Sequence, residues 1–232
     1  MSHRILNYDD GPLVWIDCEM TGLNYDTDRL LEIAVIITDG RLEPVDEGIE
    51  YIIQTPKEVL DKLSQKPSFN HVDGMDEWCT TTHGESGLTQ ACIDSPHTLE
   101  AVSQTVLDYV KRHIPDRGSG LLAGSSVHAD LRFLYKYMPD LVKHLSYRIL
   151  DVSSVKEICR RWHPSVTEKE RAGRTGKVAH RALDDIRGSI RELKFYQENI
   201  FIPLEPPKDK SKQQPSEKNE LDELVETLNK AW

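Results

Sequence analysis

Cysteine is scarce in this chain: Cys18, Cys79, Cys92 and Cys159 are scattered through 232 residues with no Cys-x-x-Cys pair. That pattern excludes a disulfide framework and a zinc site, and it suits a reducing compartment. Long apolar runs are also lacking, with none approaching the ~20 residues that cross a bilayer. The opening M-S-H-R-I-L-N-Y-D-D has neither the apolar stretch of a secretory signal nor the Arg/Ser-rich, acid-poor character of a transit peptide. The expectation is an intracellular protein, cytoplasmic or mitochondrial, neither secreted nor bound in a membrane. Basic charge is in deficit as well, 29 Lys and Arg against 39 Asp and Glu, for a net charge of -10. No broad basic stripe exists to track long nucleic acid.

The deficit is unevenly spread. Residues 1 to 100 carry 6 basic and 20 acidic side chains, or -14, whereas residues 101 to 200 carry 18 and 12, or +6. An acidic first half and a basic second half fit a metal-holding element facing a phosphate-contacting one; unpatterned surface charge is the plainer alternative. At 232 residues the chain has ample length for a core, and no internal repeat is visible.

Strand signals come first: L-V-W-I at 13–16, the alternating Ile33, Val35 and Ile37, then G-I-E-Y-I-I-Q-T. Together they predict a three-strand antiparallel meander. A helix signal follows Ser95-Pro96, with Leu99, Val102, Val106, Leu107 and Val110 at helical spacing. Next come a short buried strand in G-L-L-A-G-S, a helix through Leu131, Leu134 and Tyr135, and a strand in Y-R-I-L-D-V. Ser153 and Ser154 read as the cap of a helix reaching Trp162. Residues 164–179 lack apolar periodicity and read as a mobile basic loop. A last helix from His180 shows Leu183, Ile186, Ile190 and Leu193 as its core stripe. Hairpins followed by alternating strand and helix predict an α/β fold, a mixed sheet with helices on its faces. The domain is expected over residues 1–202. Residues 203–232, rich in proline and charge, read as a disordered tail that could close in an amphipathic helix.

Chemistry enters at Asp17 and Glu19. They follow the apolar strand one residue apart from each other, so both carboxylates leave it on one face. Like charges side by side repel, and a buried ionised carboxylate needs a partner, which points to a divalent cation. Three more positions stand out: Asp130 after G-S-S-V-H-A, and His180 with Asp185 in H-R-A-L-D-D-I. Asp184 competes with Asp185, since i to i+4 is the ordinary same-face pair on a helix. His128 reads as a surface or loop residue, and Cys18 as a small core residue facing away from Asp17.

D-x-E, a second Asp and H-x-x-x-x-D, in that order, resemble the DEDD exonuclease superfamily in its histidine-bearing branch. The blocks I-D-C-E-M-T-G-L, W-C-T-T-T-H-G-E-S-G-L, R-F-L-Y-K-Y-M-P, Y-R-I-L-D-V-S-S and H-R-A-L-D-D-I-R resemble the oligoribonuclease family within it, across roughly residues 12 to 200. The resemblance implies an RNase H-like, exonuclease-type, mixed five-stranded sheet with helices on both faces. It implies two divalent ions, Mg²⁺ or Mn²⁺, held by Asp17, Glu19, Asp130 and Asp185, with Asp17 bridging, and its spacing selects Asp185 over Asp184. Two such ions ~4 Å apart suit phosphodiester hydrolysis. His180, with an ordinary pKa near ~6.5, is suited to take the proton of the attacking water.

The implied activity is 3′-to-5′ exoribonuclease on very short RNA, dinucleotides preferred, giving nucleoside 5′-monophosphates. Long duplex nucleic acid is not expected as a substrate. Leu23 matches the residue that wedges between bases and Trp78 the one that stacks on a base; both could instead be core, but the polar surroundings of Trp78 favour stacking. His83 and Ser126 resemble substrate contacts. Tyr147, Arg148 and Ser153 resemble the cap on the terminal phosphate, the first two delivered by the partner subunit of a homodimer. Arg174 and Lys177 could help electrostatically but match too loosely to assign. Two rivals stand: an exonuclease of the same branch acting on longer RNA or DNA, and an inactive RNA-binding module.

Overall fold

Period two organises the first strand. In the computed structural model, which describes residues 4–63, 81–173 and 181–201, β1 spans Leu13–Met20. Its Val14, Ile16, Cys18 and Met20 enter one hydrophobic cluster, while Leu13 and Trp15 enter another across the sheet. Trp15 is fully buried, and its indole N–H donates to Thr38 Oγ1 at 3.0 Å, which satisfies its polar end.

β2 (Leu30–Thr38) runs antiparallel to β1, and all nine of its residues are buried. β3 (Ile49–Ile52) completes the meander, antiparallel to β2. β4 (Leu121–Gly124) lies parallel to β1 and β5 (Ile149–Asp151) parallel to β4. The order is β3-β2-β1-β4-β5, a mixed five-stranded sheet with β1 at its centre.

Helices cover both faces. α1 (Lys57–Leu63) and α2 (Leu88–Asp94) follow β3. α3 (Leu99–His113), capped by the Thr98 hydroxyl, α4 (His128–Tyr137) and α5 (Pro139–His144) pack on the Val14 face. α6 (Val152–Trp162) and α8 (Ala182–Asn199) cover the Trp15 face through Val152, Ala182 and Ile186, with Leu183, Ile190 and Leu193 packed against that cluster. Among the described residues no helix is long and apolar enough to cross a membrane. Residues Met1–Ile200 form one compact unit.

Three local expectations need correcting. Residues Pro164–Gly173, expected as loop, form helix α7. Proline presets the first turn, and the buried face is polar, Thr167 and Glu170, so there was no apolar stripe to detect. α6 is capped by Asp151, whose side chain accepts from Ser153 N–H, and not by the two serines. α8 starts at Ala182, because the backbone of Arg181 is extended (φ -123°, ψ 128°), so His180 precedes the helix. The rest of the expected loop, 174–179, and the expected tail from 203 lie outside the described residues.

Candidate active site

The pairing of β1 with β4 ends at Trp15 and Ala123, leaving the later part of β1 with an open edge on that side. At Gly124 any Cβ would sit 2.8 Å from Ile16 O, so only glycine lets the chains pass so closely. Beyond it, α4 brings Asp130 to the open edge, where its Oδ1 accepts from Cys18 N–H at 2.9 Å. On the Trp15 face Asp17 and Glu19 emerge together and meet Asp185 from the first turn of α8. Each of the three offers an oxygen within 4.8 Å of the others. The register slips just after Glu19, a bulge at the functional end of the strand.

Burial and crowding make this an uneasy set of charges. Asp17 is pushed up to about 9, first by burial, then by Asp130, Glu19 and Asp185. Glu19 rises to about 8, through burial and then Glu32 and Asp185, with Arg181 opposing. Asp130 rises to about 7 because it is buried, although backbone hydrogen bonds, one from Cys18, pull it back. Several carboxylates that cannot all ionise together lose that penalty once a cation lies among them. The donors are all oxygens, which fits a hard divalent ion.

Asp184 is exposed and pairs with Arg187 at 3.3 Å, whereas Asp185 turns inward. His128 is a surface residue, 3.4 Å from Asp151. Cys18 is buried in the core on the face opposite Asp17. Leu23 stands 41% exposed on the loop after β1. His83 is buried; its Nε2–H donates to Met20 O at 2.9 Å, and its Nδ1 lies 4.0 Å from Glu19 Oε2. Ser126 adopts a left-handed backbone (φ 54°) between β4 and α4, and its hydroxyl meets that of Ser153 at 3.0 Å. Tyr147 is 86% exposed, with the Arg148 guanidinium over its ring. Trp78 and His180, like Arg174 and Lys177, lie outside the described residues.

The exonuclease (RNase T) family model matches residues 14–193. The mitochondrial oligoribonuclease of Bos taurus is 48% identical over 189 residues, 82% of this chain and 73% of its own length. The oligoribonuclease of Arabidopsis thaliana is 47% identical over 190 residues, 82% of this chain and 78% of its own. This chain belongs to the oligoribonuclease family. The bacterial relative from Hydrogenovibrio crunogenus, 43% identical over 191 residues, is covered to 95% of its length. Among solved structures, the zinc-bound exonuclease I of E. coli in complex with single-stranded DNA matches with a TM-score of 0.60 at 15% identity, over 82% of this chain. The chain spans about two fifths (41%) of that structure's length, and at such low identity the likeness shows the RNase H-like fold alone.

Three residues on this oligoribonuclease scaffold escaped the sequence reading. Asp151 accepts from Ser126 N–H and Ser153 N–H, both at 2.9 Å, and so ties β5, α6 and the β4–α4 turn together. Its signal was present as an Asp ending a strand before a helix, but the adjacent serines drew the cap assignment. Asp28, buried, holds the Leu23 loop by accepting from Thr21 Oγ1 at 3.2 Å and Asn24 N–H at 2.8 Å. Arg181 bridges Glu32 and Glu50. No spacing rule singles out the last two, because their partners come from distant sequence.

Proposed function

We propose that this chain is a 3′-to-5′ exoribonuclease that hydrolyses very short RNA, dinucleotides above all, to nucleoside 5′-monophosphates. The observation that carries the reading is the meeting of Asp17, Glu19 and Asp185 at the end of β1, with Asp130 hydrogen-bonded to the same strand. These four would hold two divalent ions, Mg²⁺ or Mn²⁺, which when bound supply charge neutralisation at the reacting phosphate and a more acidic water. His180 takes the proton of that water as general base.

The remaining residues bind and orient. Leu23, half-exposed on the loop after β1, wedges against bases, and Trp78 stacks on one. His83 borders the same end of β1, while Ser126 and Ser153 accept the phosphate side of the substrate. Tyr147 and Arg148 close the terminal phosphate from the partner subunit of a homodimer. Support for the dimer comes from β5, an edge strand unpaired on its outer side among the described strands, and from the exposed apolar side chains Tyr147, Ile149, Ile158 and Trp162. A capped phosphate leaves no path for a longer chain, so substrate length is limited by the site. The compartment proposed is cytosol or mitochondrion.

Chain-length preference decides among readings. On 5′-labelled RNA of two to twenty nucleotides with Mn²⁺, dinucleotides should disappear fastest and chelation should stop the reaction. Rapid loss of 20-mers with slow loss of dinucleotides would favour an exonuclease for longer substrates. Binding without turnover would favour an inactive RNA-binding module.

A further inference from the structure

A second acidic layer lies behind the cluster. Glu32 sits opposite Glu19 in the β1–β2 register and Ala34 opposite Asp17, while Glu50 of β3 pairs with Ala34. These positions share one face of the sheet. Glu32 is fully buried, and a carboxylate there, beside Glu19, needs a cation of its own. Arg181 provides it. One Nη2 lies 2.9 Å from Glu32 Oε1 and 3.4 Å from Glu50 Oε2.

The same residues start α8. Arg181 is its N-cap residue but makes no side-chain cap of its own. Glu50 reaches across from β3 instead, its Oε1 accepting from Leu183 N–H at 3.2 Å. The helix end is therefore anchored twice to the sheet, by a guanidinium on Glu32 and Glu50 and by a backbone N–H on Glu50. Asp185 follows Leu183 by two residues, and His180 directly precedes Arg181.

We propose that Arg181, with Glu32 and Glu50, is a positioning residue: the clamp sets the start of α8 so that Asp185 faces Asp17 and Glu19. The inference rests on the reading above, in which Asp185 holds metal and His180 is the general base. The alternatives are distinguishable by sign. If Arg181 acted on the cluster only through its positive charge, removing it would tighten cation binding; if it aligns Asp185, removing it weakens cation binding.

The test compares the full-length wild type with Arg181→Gln, Arg181→Lys and the milder Glu50→Gln, whose side chain is 27% exposed and whose loss leaves the Arg181–Glu32 contact in place. Mn²⁺ binding is measured by calorimetry without RNA, and cleavage of a dinucleotide by steady-state kinetics. Arg181→Gln should weaken Mn²⁺ about fivefold and lower kcat about tenfold or more, with KM within about threefold. Arg181→Lys should fall between it and wild type, and Glu50→Gln should move in the same direction by less. Unchanged or tighter Mn²⁺ binding in Arg181→Gln, or a fall in melting temperature alone, would overturn the proposal. If Arg181→Gln does not fold, Glu50→Gln carries the same comparison. Failure of the wild type on short RNA would sink the substrate reading while leaving the Mn²⁺ titration to judge the clamp.

Discussion

Asp17 carries the sharpest conflict in the molecule at the scale of a single residue. Its carboxyl is held near 9, with Glu19 near 8 and Asp130 near 7, all far above ordinary carboxylates, because burial and mutual repulsion penalise their charge. Between the ordinary range and those raised values the folded chain keeps protons that the unfolded chain has released. Metal-free stability therefore falls as pH rises from about 4 towards 9. Cation binding must displace the same protons, so it becomes more favourable over the same window. The melting temperature difference between Mn²⁺-loaded and chelated protein should widen by several degrees from pH 6 to pH 8.5. A gap that stays constant would show that these groups are ionised in the absence of metal. Asp17→Asn should lower kcat at least ~100-fold while stabilising the chelated protein at pH 8, because folding no longer has to protonate a carboxylate that is ionised in the unfolded chain.

Secondary elements show where the sequence was readable and where it was not. The face assignment of β1 followed from period two alone: Trp15, Asp17 and Glu19 on one side, Ile16 and Cys18 on the other. Helix geometry hardly separated Asp185 from Asp184; in the structure Asp184 is exposed and Asp185 joins Asp17 and Glu19. The backbone at Arg181 is extended, so α8 begins only at Ala182. Helix α7 was illegible because Thr167 and Glu170, not apolar side chains, form its buried face. The cap of α6 was assigned to Ser153 and Ser154 although Asp151 makes it, and Asp151 invites a test at this scale. It holds Ser126 in a backbone conformation that costs about 1 to 3 kcal/mol and persists only when its surroundings enforce it. Asp151→Asn should raise KM for a dinucleotide about tenfold with a smaller change in kcat, because Ser126 and Ser153 contact substrate in the proposed function and do no chemistry. A fall confined to kcat would place Asp151 with the metal ligands instead.

The whole molecule combines an acidic cluster at its central strand with an edge strand, β5, that no other described strand pairs on its outer side. The acidic pair leaves the central strand β1, whereas β5 is one of the two edge strands; Tyr147 shortly before it is exposed, as are Ile158 and Trp162 of α6, spaced i to i+4 and exposed at 45% and 71%. In the proposed homodimer Arg148 serves the other subunit's site, an isologous arrangement in which each site needs its neighbour. Subunit mixing tests this without assuming any interface detail. Arg148→Ala leaves the metal ligands intact, and Asp185→Asn leaves Arg148 intact; each variant alone should cleave dinucleotides poorly. In an equimolar mixture exchanged to equilibrium, half the dimers are mixed. Each mixed dimer contains one site with all its metal ligands and an Arg148 supplied by its neighbour, so about a quarter of wild-type activity should return. If Arg148 serves the site of its own chain, neither subunit of a mixed dimer is complete, and the mixture stays as inactive as its components.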